Sequence, residues 1–305
     1  MNILITGVAG FIGSQIAKRF ISDGHRVIGI DDLSTGNINN VPSKVDFLNL
    51  DLTLTNDVAK IPNNCEIILH LAGQSSGEIS YKKPVDDLKK NTISTLNLIN
   101  YGIKNKSKKI LFASSMSVYG DCFCNYSGVK EDQLFEPKSC YGVGKLASEK
   151  YLNIFKSKLP FVSLRMFNVY GPGQDMENMK QGMVSIYLSQ AIKYQQIIIK
   201  GSLSRFRDFI YIDDVVEAWY RAAFSHNALN QAINIGTGKK TTVEELIEQI
   251  KLIAKVSKIK IEGETPCDQL GIYSNNEKLS EILKFKPKVS LFDGLKSFYE
   301  FAKKV

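Results

Sequence analysis

The sequence is poor in the residues that build metal sites and disulfide frameworks. It has only three histidines among 305 residues, and its five cysteines form no Cys-x-x-Cys pair. Scarce histidine with no neighbouring cysteine argues against a zinc site, and an odd number of cysteines argues against a disulfide framework. We therefore expect reduced thiols and no bound metal.

Long apolar runs are also lacking. No stretch approaches the ~20 apolar residues that a membrane-spanning helix requires. A strand pattern begins at Asn2, which leaves no room for the basic, apolar and cleavage regions of a signal peptide. These absences predict a cytoplasmic protein with no membrane partner.

The charge is one-sided but dispersed. The net charge is +8 and only six of the 39 basic residues are arginine, while the 44% hydrophobic fraction is ordinary for a folded protein. Scattered lysines are usually solvated, whereas nucleic-acid binders concentrate basic residues in patches. The pattern therefore favours a small anionic substrate over nucleic acid.

The first half alternates short runs rich in β-branched residues with longer helical patterns, which is typical of βαβ units and a parallel sheet. We predict an α/β, Rossmann-type doubly wound parallel sheet formed by residues 1–165 and 205–235, with a smaller, interleaved C-terminal α/β lobe formed by 166–204 and 236–305. The predicted strands are 3–6, 26–30, 45–48, 67–71, 110–114, 161–165, 197–200, 209–212 and 232–235. The predicted helices are 12–22, 85–101, 141–156, 181–193, 213–224, 243–255 and 291–301.

A glycine-rich loop follows the first predicted strand directly. Gly7, Gly10 and Gly13 lie in the pattern Gly-x-x-Gly-x-x-Gly, and an amphipathic helix begins within it. Glycine permits a tight turn and a close backbone approach, and the helix N-terminus then faces a pyrophosphate. This context predicts a dinucleotide-binding loop.

An acidic pair ends the second predicted strand. Asp31 and Asp32 can accept hydrogen bonds from an adenosine ribose and would repel a 2′-phosphate, which favours NAD over NADP. A helix cap or turn is the simpler alternative for this pair. Asp51 could contact the adenine, although a turn aspartate is nearly as common.

The pattern Tyr-x-x-x-Lys occurs three times, from Tyr126, Tyr141 and Tyr299. With 13 tyrosines and many lysines, a bare match is expected by chance. Only Tyr141 and Lys145 follow a strand-end serine, Ser115. Residues four apart share one helix face, so the Lys145 ammonium is expected to lower the pKa of the Tyr141 phenol towards neutrality and make it an acid/base.

Eight ordered blocks give the chain a resemblance to the extended short-chain dehydrogenase/reductases that act on nucleotide sugars, particularly UDP-hexose 4-epimerases. The resemblance covers essentially the whole chain. The blocks are GVAGFIG (7–13), DDLSTG (31–36), HLAG (70–73), SSMSVYG (114–120), CYGVGK (140–145), RMFNVYGPG (165–173), RDFIYIDD (207–214) and NIGTG (234–238).

The resemblance implies NAD as the cofactor, a nucleotide sugar as the substrate and a homodimer. Ser115, Tyr141 and Lys145 resemble the family's catalytic residues. Ser115, Asn168 and Arg207 resemble its substrate contacts. Residues that match its cofactor contacts are Gly7, Gly10, Phe11, Ile12, Gly13, Asp31, Asp32, Ser34, Thr35, Gly36, Asp51, Leu52, Leu71, Ala72, Gly73, Asn91, Ser114, Tyr141, Lys145, Phe167 and Val169.

The block after the fifth strand indicates the type of reaction. Related dehydratases carry Asp-Glu after the serine or threonine, and related decarboxylases carry Glu before the Val-Tyr pair, whereas Met116 and Ser117 stand here. The resemblance is therefore to an epimerase, which predicts NAD-dependent 4-epimerisation with Tyr141 as acid/base. A ketoreductase, another epimerase of the family, or a non-catalytic NAD-binding regulatory protein remain alternatives.

Two segments depart from the family pattern. Many members have an Arg-x-Gly-Asp segment whose arginine clamps the diphosphate, but the matching residues here begin at Thr265. Glu78 stands where relatives often bring a basic residue towards the sugar. Arg205 or Lys200 could supply the missing cation, and Ile272 lies in the region that faces the sugar C2 substituent in relatives.

Overall fold

The computed structural model describes residues 1–120, 127–179, 182–263 and 270–304. The helical elements in these ranges include α1 Phe11–Ser22, α2 Thr55–Val58, α3 Gly77–Lys82, α4 Pro84–Leu88, a π turn Lys89–Ile93, α5 Ser94–Lys104, a 3-10 turn Met116–Val118, α6 Cys140–Phe155, α7 Met183–Tyr194, α8 Ile212–Phe224, α9 Val243–Ala254, α10 Glu277–Leu283 and α11 Leu291–Ala302. The strands are β1 Asn2–Thr6, β2 Arg26–Asp31, β3 Val45–Asn49, β4 Ile67–His70, β5 Lys109–Ser115, β6 Phe161–Met166, β7 Asn168–Tyr170, β8 Gln196–Ile199, β9 Phe206–Arg207, β10 Phe209–Tyr211, β11 Gln231–Ile235, β12 Thr241–Thr242 and β13 Lys258–Ile261.

Seven parallel strands form the central sheet in the order β11-β6-β5-β4-β1-β2-β3. Both faces are covered by helices, because Ile3 and Ile5 point into one apolar cluster while Leu4 points into another. Strands buried on both faces are apolar throughout rather than alternating, as the sequence is here. The predicted doubly wound Rossmann-type sheet is confirmed.

The two apolar clusters divide the helices between them. The larger cluster contains buried residues of α1, α7, α8 and α9, and includes Trp219, which has no exposed surface. The smaller contains residues of α5 and α6 on the opposite face of the sheet. Trp219 is thus a core residue.

The second half of the chain forms three two-stranded sheets. β8 pairs with β13, β7 with β10, and β9 with β12. β11 leaves this region and forms the edge of the central sheet beside β6. The division of the chain into residues 1–165 with 205–235 and 166–204 with 236–305 stays a prediction.

Most predicted elements lie within two residues of their observed bounds. The predicted helix 85–101 is wrong as one α-helix, because a π turn at Lys89–Ile93 separates α4 from α5. The predicted strand 209–212 ends at Tyr211, since Ile212 begins α8. The short elements that were not predicted are α2, α3, α10, β7, β9, β12 and β13.

None of the helices in the described residues is both long and apolar enough to cross a membrane. Cys65 and Cys140 carry free thiols, while Cys122, Cys124 and Cys267 lie outside the described residues.

Candidate active site

The glycine loop closes tightly against the loop that follows β4. Gly7 has a φ of +70°, and a Cβ there would lie 2.8 Å from the Ala72 amide nitrogen. A Cβ on Gly13 would lie 2.1 Å from the Gly7 carbonyl oxygen. Among the described residues no side chain caps the N-terminus of α1. The missing side chains therefore leave a narrow cradle at a helix N-terminus, the arrangement that binds a pyrophosphate.

Asp31 ties the end of β2 to this loop. Its Oδ2 accepts a hydrogen bond from the Ala9 amide (3.0 Å) and its Oδ1 accepts one from the Leu33 amide (2.9 Å). Burial raises the pKa of the Asp31 carboxyl, against the lowering effect of these two hydrogen bonds. Gly36 packs against it, since a Cβ there would be 2.8 Å from Oδ1.

Asp32 has a partner that sequence reasoning missed. Lys90 Nζ lies 3.2 Å from Asp32 Oδ2 and donates to Ser34 Oγ at 2.6 Å. Asp32 Oδ1 also accepts from the Ser34 amide (2.9 Å). Partial burial alone would raise the pKa of Asp32, but the hydrogen bonds of Ser34 and the charge of Lys90 outweigh it and lower the pKa. The pair spans 58 residues of sequence, so no local pattern signals it.

His70 organises the end of β4 as a neutral side chain. Its Nδ1 lies 2.8 Å from Thr6 Oγ1 and its Nε2 lies 3.1 Å from Thr95 Oγ1. Burial, aided by the charge of Lys145, lowers the pKa of His70 to about 3. Thr6 Oγ1 in turn accepts from the Leu71 and Ala72 amides, at 3.1 and 3.0 Å. His70 is therefore a packed structural histidine.

Asn91 lies against Gly73 with one polar atom unused. Its Nδ2 donates to the Gln74 carbonyl and to Asp87 Oδ1, both at 3.0 Å. Its buried Oδ1 has no hydrogen-bond partner among the described residues. A Cβ on Gly73 would lie 2.5 Å from that oxygen and 3.3 Å from Lys145 Nζ. The Asn91 Oδ1 acceptor thus faces a space that stays open because Gly73 has no side chain.

The predicted catalytic residues meet where β5 ends. Ser115 is the last residue of β5, and its side chain is near enough to the Tyr141 phenol, at the start of α6, to lower the pKa of that phenol. Lys145, four residues on, is buried, and its Nζ lies 5.7 Å from the centroid of the Tyr141 ring. The structure therefore brings the three side chains together.

Two glycines explain how α6 comes so close. A Cβ on Gly142 would lie 2.5 Å from the Ser117 carbonyl oxygen. A Cβ on Gly144 would lie 3.2 Å from Asn91 Cβ and 3.3 Å from Asp87 Oδ2. The sequence Tyr-Gly-Val-Gly-Lys thus lets the helix contact the Met116–Val118 turn on one side and α4 with its π turn on the other.

The expected lowering of the phenol pKa is wrong for the polypeptide alone. Burial raises the pKa of Tyr141 to about 12; the hydrogen bond to Ser115 lowers it and the charge of Asp87 raises it further. Burial lowers the pKa of Lys145 to about 8, with Asp87 opposing that shift. Asp87 is itself buried, and sequence reasoning missed it. Burial therefore outweighs the helical spacing on which the expectation depended.

A buried ion pair lies one turn beyond Lys145. Arg165 on β6 donates to both Glu149 carboxylate oxygens, at 2.9 and 2.7 Å. The Ser114 hydroxyl also donates to Glu149. Arg165 further donates to the Tyr119 hydroxyl at 2.9 Å. The Ser114 hydroxyl is thus engaged inside the protein, which leaves its backbone for the predicted cofactor contact.

The other predicted cofactor residues fall into two groups. Asp51 Oδ1 accepts from the Thr53 amide at 2.8 Å and so closes its own turn, while the side chains of Leu52 and Phe167 are buried in apolar clusters. Residues that remain at least partly accessible around the glycine loop and the strand ends are Phe11, Ile12, Ser34, Thr35, Leu71 and Val169.

Two of the predicted substrate residues, Asn168 and Arg207, lie at β7 and β9. The Asn168 amide donates to the Asp208 carbonyl at 3.0 Å, which places Asn168 beside Arg207. Asn168 Oδ1 is buried without a hydrogen-bond partner among the described residues. Burial, and then the charge of Arg205, lower the pKa of Arg207 to about 10. Two buried guanidinium groups therefore raise the positive potential here.

The Asp208 side chain holds this region together. Its carboxylate accepts five hydrogen bonds of 2.5–3.1 Å from Thr237, Gly238 and Ser274. These donors come from the NIGTG block and from the segment before α10. Asp208 was visible in the sequence only as part of a motif, because its partners are distant in sequence.

The remaining predicted positions are placed as follows. Met116 and Ser117 form the turn after Ser115, and Ser117 Oγ lies 3.2 Å from Ser115 Oγ. Glu78 is exposed and forms an ion pair with Lys82. Ile272 is buried beside Val118. Thr265 and Tyr126 lie outside the described residues.

The described residues fit a dinucleotide. The cradle that a Cβ at Gly7 or Gly13 would fill suits a pyrophosphate, the Asp31 carboxylate is tied to this loop by the Ala9 amide, and the unpartnered Asn91 Oδ1 faces the space beside Lys145.

Comparisons with known proteins agree with this geometry. The model of the NAD dependent epimerase/dehydratase family matches residues 3–236. The putative UDP-glucose 4-epimerase of Methanocaldococcus jannaschii is 36% identical over 304 residues, covering 96% of each chain.

Solved structures share the fold throughout. The UDP-glucose 4-epimerase of Thermotoga maritima, solved with UDP-glucose, has a TM-score of 0.96 and 34% identity, covering 100% of this chain and 99% of that one. The UDP-glucuronic acid 4-epimerase of Bacillus cereus, in complex with UDP-glucuronic acid and NAD, has a TM-score of 0.90 and 30% identity, covering 100% and 99%. The chain belongs to the NAD dependent epimerase/dehydratase family, and is an enzyme that uses NAD.

Proposed function

We propose that the protein interconverts the C4 epimers of a nucleotide-activated hexose, most simply a UDP-sugar. The observation that carries this proposal is the grouping of Ser115 at the end of β5 with Tyr141 and the buried Lys145 on α6, with Lys145 Nζ 5.7 Å from the centroid of the Tyr141 ring. Met116 and Ser117 beside them lack the carboxyl groups that elimination would use. The substrates named for the similar structures support a nucleotide sugar.

Tyr141 acts as the acid/base in this proposal. Its phenolate removes the proton from the sugar 4-hydroxyl and later returns a proton to the same oxygen, while Ser115 hydrogen-bonds that oxygen. Bound NAD supplies the hydride acceptor and donor at C4, and its nicotinamide charge favours the phenolate. Because the pKa of Tyr141 is about 12 in the polypeptide alone, this added positive charge and that of Lys145 matter.

Arg207 and Asn168 hold the substrate in this proposal. A guanidinium group binds a diphosphate through two parallel hydrogen bonds, and the neighbouring Arg205 adds positive charge. The Asn168 side chain supplies a polar group with an unused buried oxygen. The region around β7 and β9 therefore provides both charge and a fixed hydrogen-bonding group.

The decisive test is Tyr141→Phe. We expect a loss of about 10³-fold or more in the interconversion of the substrate, with NAD still bound, because only the acid/base is removed. The protein would be incubated separately with UDP-glucose, UDP-N-acetylglucosamine and UDP-glucuronate, and the anomeric proton signals followed.

Tyr299→Phe is the matched control, since it removes the same hydroxyl from another Tyr-x-x-x-Lys match on α11. We expect the Tyr299→Phe protein to interconvert the substrate at the normal rate. Near-normal turnover by Tyr141→Phe would contradict the assignment, and steady consumption of NADH would instead indicate a ketoreductase.

We also propose a homodimer formed by α4 and α6. Both helices expose large apolar side chains, with Val85 62%, Leu88 50%, Val143 54% and Ile154 67% exposed. Exposed apolar patches of this kind mark interaction surfaces. Val143 and Ile154 lie on α6 away from the Tyr141–Lys145 face, so pairing would leave the site accessible.

Ile154→Glu should convert the dimer to a monomer, as measured by light scattering after size-exclusion chromatography. Leu252→Glu on α9, at an equally exposed leucine (72%), is the control and should leave the mass unchanged. A monomeric unmodified protein would refute the dimer.

A further inference from the structure

The Lys90 side chain links two segments that lie on either side of the glycine loop. It lies in the π turn after α4, downstream of β4, whereas Asp32 and Ser34 follow β2. β2 and β4 flank β1 in the sheet, and the glycine loop follows β1. The contacts of Lys90 Nζ with Asp32 Oδ2 (3.2 Å) and Ser34 Oγ (2.6 Å) therefore bridge the two loops on either side of the glycine loop.

The two carboxylates at the end of β2 have different partners. Asp31 is held by the Ala9 and Leu33 amides, so it is fixed to the glycine loop. Asp32 instead holds the ammonium of Lys90, and both side chains are about one-third exposed, at 30% and 32%. Asp31 therefore has the position of a ribose ligand, and Asp32 that of a counter-ion to a nearby cation.

A cation beside the end of β2 bears on the choice between NAD and NADP. NADP differs from NAD by a phosphate on the adenosine 2′-oxygen, and enzymes that accept NADP place a basic side chain near it. Lys90 brings a basic side chain from another element to the loop that follows β2. Its charge is balanced by Asp32, so the three charges of Asp31, Asp32 and Lys90 sum to one negative charge.

We propose that Asp32 enforces selection of NAD over NADP by holding the ammonium of Lys90, which would otherwise bind the 2′-phosphate. The Asp32 carboxylate acts twice, because it neutralises the cation and adds a charge that repels the phosphate. The proposal depends on the family's use of NAD and is independent of which sugar is the substrate.

The test compares Asp32→Asn with the double variant Asp32→Asn/Lys90→Met. Each purified protein is equilibrated with equal concentrations of NAD and NADP, separated from free dinucleotide, denatured, and its released dinucleotides quantified by chromatography. Asp32→Asn should raise the bound NADP:NAD ratio about tenfold or more, since the amide leaves Lys90 free to pair with the phosphate. The double variant should lose that gain.

Lys89→Met removes the same charge from the neighbouring exposed residue and should leave the ratio unchanged in the Asp32→Asn background. Asp32→Ser provides a second neutral variant, and the melting temperature and NAD content of each protein establish that it is folded. An unchanged ratio in folded Asp32→Asn and Asp32→Ser overturns the proposal. An equal rise with and without Lys90 overturns it as well, because repulsion alone would then account for the selection.

Discussion

The β5–α6 region and the loops around β9 and β10 each contain a buried carboxylate, Glu149 and Asp208, and the two are stabilised differently. Glu149 lies against Arg165 in a bidentate ion pair, with both side chains less than 10% exposed. Asp208 is fully buried and accepts its hydrogen bonds from amides and hydroxyls. One carboxylate is matched by a full charge, the other by several dipoles.

The difference follows from what each carboxylate positions. Glu149 shares the face of α6 that carries Tyr141 and Lys145, and it also accepts from Ser114, the neighbour of Ser115. It therefore fixes a helix relative to a strand. Asp208 is next to Arg207 in the sequence and links loop segments that lie outside the helices and strands. Several donors from different segments suit this role.

The largest effect is expected from breaking the ion pair. Glu149→Gln should lower the free energy of unfolding by about 3–5 kcal/mol, because it leaves the Arg165 charge buried and uncompensated. Guanidinium-induced unfolding measures this. The double variant Glu149→Met/Arg165→Met should recover much of the loss, and a single-variant effect below about 1 kcal/mol would contradict an anchoring role.

Lys145, on the same face of α6, makes the stability of the protein depend on pH. Its folded pKa of about 8 lies below the usual value of 10.5, so the unfolded chain binds more protons between these values and stability rises with pH across that interval. Over this interval the free energy of unfolding should rise by about 3 kcal/mol. Lys145→Met should remove it when unfolding curves are compared between pH 7.5 and 10, and parallel curves for the two proteins would refute the shift.

Asp208 should cost less to alter than Glu149. Asp208→Asn keeps the shape but replaces one acceptor oxygen with a donor, so we expect a loss of about 2–3 kcal/mol in the free energy of unfolding. Since the change is confined to the loops around β9 and β10, calorimetry should show weakened UDP binding with the bound NAD content unchanged. Equal loss of both ligands would mean that the two regions are not separate.

A surface capping box provides the smallest effect. Thr242 Oγ1 accepts from the Glu245 amide at 3.1 Å, and Glu245 accepts from the Thr242 amide at 2.7 Å. Thr242→Ala should lower the free energy of unfolding by about 1 kcal/mol, because water can replace the lost partner. A loss of free energy of unfolding as large as that of Asp208→Asn would show that burial does not determine the size of these effects.

Local patterns predicted the parts of the site that local geometry determines. The glycine loop, Asp31 and the Tyr141–Lys145 pair depend on strand ends and helical spacing, which the sequence displays directly. The pairs Asp32–Lys90 and Glu149–Arg165 join different elements, and Asp87 acts through space, so no periodicity signals them. The pKa of Tyr141 was predicted in the wrong direction because burial is a property of the tertiary structure.

The π turn at Lys89–Ile93 makes the spacing of this region sensitive to a single residue. There the Ser94 amide donates to the Lys89 carbonyl, five residues back, so the turn holds one residue more than an α-helix would. Deleting one residue would restore the α register and rotate everything before it by about 100°. Asp87 would then turn away from α6 while Asn91 stayed in place, so homologues that differ in length here should differ in the electrostatics of their tyrosine.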